Sequence, residues 1–368
     1  MSATVHVSNK LNDFSMICLA EMNQAQSALS IFVNGYLLSP PSCSANRPLK
    51  GLVKKHMCFA KFIQPHERLP MSKPLFGAIE AGGTKFNCAV GTSPTDLVAT
   101  IRIPTTSPEA TLKACIDFFK DAAGKFEKVS SIGISSFGPL DLHPNSPTYG
   151  SITKTPKAGW SNTSLVGPVS KALDCEVYID TDVNGAALAE HQWGAAQDVK
   201  NLVYLTVGTG IGGGGMVNGD LIHGLVHTEM GHIRVVRCAE DKYPGGCPFH
   251  GDCFEGMASG PAFKARWGEA GTKLPMDHVA WKIEADYIAQ AISNYIYVLS
   301  PERFVIGGGV MHHEGLFPLI RKRVVEILNG YVDSPSILKN IDKYIVPPGL
   351  GDNAGVAGGI ALAARRKR

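Results

Sequence analysis

Apolar and polar positions settle into a regular pattern from residue 75 onward. Leu75–Glu80 and Phe86–Gly91 read as two strands around a glycine turn. Pro108–Phe119 repeats its apolar residues at helical spacing, which predicts an amphipathic helix with Ala110, Cys115 and Phe118 or Phe119 turned inward. Ser131–Ser135 and Glu176–Asp180 read as strands, the first followed by the turn Phe137-Gly138-Pro139, and Val183–Trp193 reads as a helix. Leu202–Val207 is a strand that runs into a glycine run, and Ile283–Leu299 is a long helix of the 3.6 period closed by Pro301. Phe304–Ile306 leads into another glycine run, and Ala354–Arg366 is a final helix with basic residues at its C-terminal end, as the dipole prefers. Alternation of this kind predicts an α/β fold.

Residues 1–70 differ in character. They lack a clear period, carry scattered Ser and Pro, and end in the stretch Pro65 to Pro70. Met71 then opens a polar lead and a strand, like a fresh start. Two readings fit this extension: upstream sequence from an over-long gene model, or a targeting peptide, since the segment is Ser-rich, acid-poor and basic. A small regulatory domain is a third, but no helix-turn-helix pattern is found.

The chain has 368 residues, 44% of them hydrophobic, enough for one large or two medium domains with a substantial core. No stretch approaches the ~18 uninterrupted apolar residues of a membrane span. Residues 1–70 hold seven Lys/Arg against three Asp/Glu, so of the formal net charge of +3 the remainder carries −1. A nucleic-acid partner is therefore not expected. Nine cysteines, an odd number, do not form a secreted disulfide framework and point to the cytoplasm. Cys247 and Cys253 aside, they read as small apolar residues.

Three glycine turns each follow an apolar strand: Ala81-Gly82-Gly83-Thr84-Lys85, Gly208 to Gly214, and Gly307-Gly308-Gly309. Such turns present backbone N–H groups without Cβ obstruction, which suits phosphate oxygens. Thr84 and Thr209 add hydroxyls and Lys85 a point charge. One turn alone could serve hairpin geometry only, but three after three strands point to a nucleotide. None has the P-loop form, and the first lacks dinucleotide-fingerprint spacing, which disfavours a Rossmann dehydrogenase. Asp182 stands where a strand gives way to a helix. It reads either as an N-cap or as a general base toward a substrate hydroxyl, with Asp180 as a competing carboxylate.

Cys247, His250 and Cys253 have Cys-x2-His-x2-Cys spacing, and His232 completes four N/S donors. The set suits a closed structural zinc site; the bland alternative is a loop with two ordinary cysteines and an incidental histidine. Pro248 and Gly251 favour the tight turns of a chelating knuckle. His223, His227, His312 and His313 lack such a setting and read as surface or core histidines.

From Leu75 onward the chain resembles the ROK family of bacterial sugar kinases and repressors, most closely its zinc-containing fructokinases. Glu80 to Lys85 looks like the family's first phosphate motif and Gly208 to Gly212 like its second. Thr181-Asp182-Val183-Asn184, with Ala186, Ala187 and Glu190, looks like the segment of the catalytic aspartate. Glu229-Met230-Gly231-His232 and Glu255 resemble the sugar-binding residues, with His232 serving both metal and sugar. Phe304 to Val310, including Gly308 and Gly309, resembles the adenosine-side segment, and Gly351 to Gly359 the closing one.

The resemblance implies an actin-like ATPase fold. Residues 74–185 plus 353–368 would form a smaller α/β domain, 186–352 a larger one with the zinc loop, and 1–73 an extension. It implies a homodimeric, ATP-dependent hexose kinase using Mg2+ with ATP and a structural Zn2+. Glu80 stands where most of the family has Asp, and His250 where most has a third cysteine; both are fructokinase-like features. Thr181 stands where many glucokinases have an Asn that contacts the sugar, which puts a glucose-type contact in doubt and leans toward another hexose; the likeness to the fructokinase branch makes fructose the expected one. Kinases for glucose, mannose or an N-acetylated hexose are the alternatives, with a sugar-responsive transcription regulator behind them. A plastid location is the alternative if residues 1–70 are a transit peptide in a photosynthetic host.

Overall fold

The computed structural model describes residues 73–365, apart from Met276 and Glu314, and four strand segments between residues 3 and 38. Those segments (Ala3–Thr4, Cys18–Ala20, Ser30–Val33 and Tyr36–Leu38) pair antiparallel in chain order within a unit of residues 1–71. The expectations for Pro65–Pro70 and Met71 lie outside the described residues.

Residues 72–368 form a second unit built on two five-stranded sheets. The first holds β1 (Phe76–Ala81), β2 (Lys85–Ser93), β3 (Asp96–Pro104), β4 (Ser131–Ser136) and β5 (Glu176–Thr181), in the order β5-β4-β1-β2-β3. The second holds β6 (Leu202–Val207), β7 (Ile211–Val217), β8 (Asp220–Leu221), β9 (Arg303–Gly307) and β10 (Ile345–Val346), in the order β10-β9-β6-β7-β8. In each sheet the first three strands form an antiparallel meander, and the last two lie parallel to the first. The same topology thus occurs twice, although the sequence carries no obvious short repeat.

Helix α1 (Pro108–Ala123) starts as its sequence dictates: Pro108 occupies the first turn, and Ser107 Oγ accepts from the Ala110 N–H at 3.3 Å. It runs four residues past the predicted end. Its inner stripe is Leu112, Cys115, Phe119 and Ala122; Ala110 is exposed, because it falls off that stripe in the capping turn. Helix α2 (Asp182–Trp193) is buried almost throughout, packed against both sheets and against α5 (Ala354–Ala364). Glu190, 0% exposed, is held there by N–H donors from Ala195, Gly349 and Leu350 at 2.7–3.0 Å.

Helix α3 (Val279–Leu299) begins four residues before the predicted start, because His278 Nδ1 caps the Ala280 N–H at 3.1 Å. It packs against α4 (Leu316–Leu328) under the second sheet. Ile288, Ile292 and Ile296 lie on its buried side, and burial of each stabilises the fold by roughly 1.5–3 kcal/mol. Among the described residues no helix is long and apolar enough to cross a membrane.

One expectation needs correction. Only Gly208 to Gly210 form a turn; Ile211 to Gly214 belong to β7. Packing explains the glycines there. A Cβ on Gly213 would lie 2.6 Å from Met230, and one on Gly214 would lie 2.4 Å from Asn184 Oδ1, so the strand can approach the Met230–His232 turn on one side and α2 on the other only without side chains.

Candidate active site

Asp182 is placed by the end of β5. The N-cap of α2 is Thr181, whose Oγ1 accepts from the Asn184 N–H at 3.1 Å. Asp182 is therefore the first helical residue, and its carboxylate accepts from the neighbouring Val183 N–H at 2.9 Å. Asp180 is committed elsewhere: 3% exposed, it accepts from Thr181 N–H and Asn184 Nδ2 at 2.8 Å and meets His223 Nε2 at 2.7 Å. Asp182 opens onto the cleft while protein atoms crowd it on every side. Loss of bulk solvation, reinforced by the charge of Glu80, pushes its carboxyl up to about 6.

A cavity of about 670 Å³ lies in front of this carboxylate. Its walls come from the loops after β4 and β5, the Gly208–Gly213 backbone and the segment that begins at His227. Glu229, His232 and Glu255 all line it, as do Lys154, Thr155 and Pro156. Gly231 lets the Glu229–His232 turn press on β7, since a Cβ there would sit 1.9 Å from the Ile211 carbonyl oxygen. The Tyr295 hydroxyl donates to the Met230 carbonyl and fixes the same turn from below. Glu255 Oε2 accepts the Ile211 N–H at 2.9 Å, tying the short helix Phe254–Ala258 to the second glycine turn.

His232, Cys247, His250 and Cys253 converge, with one donor atom of each within 4.8 Å of the others. Cys247 Sγ lies 3.6 Å from His250 Nδ1, and Cys253 Sγ lies 3.5 Å from His232 Nδ1. With Zn–S of ~2.3 Å and Zn–N of ~2.05 Å, a tetrahedral S···N edge is about 3.5 Å, so the donors fit such an ion. The knuckle is closed by reciprocal bonds between Cys247 and Gly251 at 3.0 and 2.9 Å. Burial pushes the Cys253 thiol up to about 11, so a bound cation is what would hold it as thiolate. His232 presents Nδ1 to the sulfurs, while Nε2 lies 4.0 Å from Glu229 Oε2 on the cavity side.

A second cavity, of about 880 Å³, shares Gly208 and Thr209 with the first and continues past Gly309, Lys264, Phe263 and Trp281. Gly210 lines only the first cavity. Gly308 lines neither. With φ of +96° it brings the chain against β6, where a Cβ would lie 2.4 Å from the Val207 carbonyl oxygen. Gly82, Gly83, Thr84 and Lys85 also line neither cavity. Their turn is closed by Gly82 N–H to the Lys85 carbonyl at 3.0 Å, and it adjoins the first cavity through Phe137, whose N–H donates to Ala81 at 3.0 Å.

As expected, His227 is a core histidine and His312 a surface one. Beyond that, His312 and His313 line the second cavity, and His227 lines the first. An extended backbone puts residues i and i+2 on one face, so the separation of His227 from Glu229 was the signal available for it.

Comparison with known proteins identifies the family and the fold. The ROK family model matches residues 76–366. The fructokinase of Zymomonas mobilis is 47% identical over 295 residues, covering 79% of this chain and 97% of its own length. The fructokinase of Pediococcus pentosaceus is 44% identical over 289 residues, covering 78% and 97%. Among solved structures, a ROK hexokinase from Thermus thermophilus superposes with a TM-score of 0.65 at 24% identity, over 79% of this chain and 97% of that one.

Proposed function

The chain belongs to the ROK family, and from that premise we propose that it is an ATP-dependent fructokinase, moving the γ-phosphate of ATP to O6 of fructose. The observation that carries this reading is a single one. Asp182, a carboxylate with no cap to serve, faces a cavity that joins a second cavity at the backbone of Gly208 and Thr209. One cavity has room for a hexose, the other for a nucleotide, and the junction is where a phosphoryl group would pass.

In this reading Asp182 accepts the proton of the attacking hydroxyl. Glu229, His232 and Glu255 hold the other hydroxyls and supply the near-attack geometry. Gly208, Thr209 and Gly210 meet the phosphates from the second-sheet side. Gly82, Gly83, Thr84 and Lys85 meet them from the first-sheet side when the two lobes, 74–185 with 353–368 and 186–352, draw together. Gly309 lies along the nucleotide, with Gly308 shaping that turn. Mg2+ arriving with ATP supplies charge neutralisation at the phosphates. His232, Cys247, His250 and Cys253 would hold Zn2+, whose four protein ligands leave no open position, so its part is structural. We further infer a cytoplasmic homodimer, checked by sedimentation of the purified protein.

The test is an ATP-coupled assay across fructose, glucose, mannose and N-acetylated hexoses, read as kcat/KM. Fructose is expected to lead. A lead by another hexose would replace fructose in the reading, and turnover of none would end the kinase reading itself.

A further inference from the structure

The hairpin that begins after β8 reaches across to the first-sheet side at three points, each through a histidine. His223 and His227 face each other across its neck. His223 Nε2 meets Asp180 Oδ2 at 2.7 Å, and the hairpin's Leu225 carbonyl lies 3.2 Å from His143 Nε2. The third contact is buried: the Leu140 N–H donates to His227 Nε2 at 3.0 Å. A ring nitrogen that accepts carries no proton, so the proton of this imidazole sits on Nδ1. Nδ1 lies 3.3 Å from the Thr228 carbonyl oxygen and 3.5 Å from Glu229 Oε1. Glu229 thus stands between two rings, with His227 on one side and His232 Nε2 at 4.0 Å on the other.

We propose that His227 is a positioning residue that aims the Glu229 carboxylate into the sugar cavity. The aim depends on the Leu140 backbone, which belongs to the other half of the fold. A peptide N–H has a fixed direction, so it selects one tautomer and one ring plane, and the ring passes that choice to Glu229. When the two halves separate, the Leu140 donor leaves, and the tautomer and the glutamate lose their reference together. The sugar site is therefore complete only when both halves are in contact, although every hydroxyl-binding residue named above except Asp182 lies on the second-sheet side. This inference rests on the sugar-kinase reading and deepens it.

The experiment is a double-mutant cycle on the full chain with fructose and ATP varied separately. His227→Leu should raise KM for fructose about tenfold, the size expected for one hydrogen bond to a charged group, and leave KM for ATP within about twofold. His227→Gln, which keeps an acceptor for Leu140, should recover part of the loss. In a Glu229→Gln background His227→Leu should add less than about twofold, since there is no carboxylate left to aim. Metal content and Tm of each variant report folding. If His227→Leu does not fold, the cycle is run with His227→Gln, whose KM shift must vanish in the Glu229→Gln background. An unmoved KM for fructose, or effects that simply multiply, would overturn the inference. A wild-type chain that phosphorylates no hexose would instead overturn the kinase reading beneath it.

Discussion

At the scale of single residues, Asp182 carries opposed demands. A carboxylate that is to take a proton near neutral pH gains from a raised pKa, and the crowded cleft supplies it at some cost to the ionised fold. The pKa of about 6 means that kcat/KM should fall roughly tenfold per unit as pH drops below that value, and should level off above it. Asp182→Asn should lower kcat by about 10³-fold while KM for the sugar changes little; a fully active variant would sink the assignment. The sign for stability is opposite. A pKa above the unfolded value of about 3.9 means that the folded state binds the extra proton, so Asp182 destabilises the fold increasingly as pH rises from about 4 through 6. Asp182→Asn should thus raise Tm at pH 7, by roughly 1–3 °C once screening by cleft water is counted. His232 could be singled out from residue type and spacing as a fourth metal donor and Asp182 as a carboxylate at a strand–helix junction, whereas Glu229 was singled out only through the family resemblance. The cap at Thr181 and the setting of His227 were not legible, since both depend on backbone groups from elsewhere in the fold.

At the scale of elements, the β7 glycines mark where sequence reading falls short. A glycine run after a strand looks the same whether it cradles a phosphate or lets a strand lie against a helix, and only the neighbour decides. Gly214→Ala should therefore destabilise the protein by about 1–3 kcal/mol, the usual cost of overpacking, by forcing Asn184 or α2 to move; chemical denaturation measures it. The metal loop was the opposite case, because Cys-x2-His-x2-Cys with a further histidine nearby has few other uses, and the four donors do converge. Stripping the Zn2+ proposed for this loop with a chelator should lower Tm by about 5 °C or more and raise KM for fructose in parallel. Loss of neither, in protein shown to be metal-free, would remove the structural role. Helix ends differed from expectation by up to four residues where a cap such as His278 overrode the apolar period.

At the scale of the whole molecule, two copies of one topology face each other with α2 and α5 between them. That doubling leaves no repeat in the residues themselves and was expected only through the family resemblance, because a topology constrains which positions are apolar and not which residues fill them. Since residues 72–368 cluster as a unit by themselves, protein started at Met71 should phosphorylate fructose with the kcat/KM of the full chain; a large deficit would give residues 1–70 a part in the reaction. The proposed closure of the halves on sugar also predicts slow ATP hydrolysis without sugar, about 10²-fold or more below turnover with it, because the catalytic groups gather around the γ-phosphate only on closure, and closure shuts water out.

The two nitrogens of His232 point in different directions, one to the thiols and one to the cavity. Free energies of binding are reciprocal, so whatever the proposed Zn2+ does for sugar affinity, sugar does for the retention of that ion. A cell well supplied with its hexose would keep this protein metallated against competing chelators. In a starved cell the ion would be released more readily, so the availability of substrate would help set the lifetime of the enzyme.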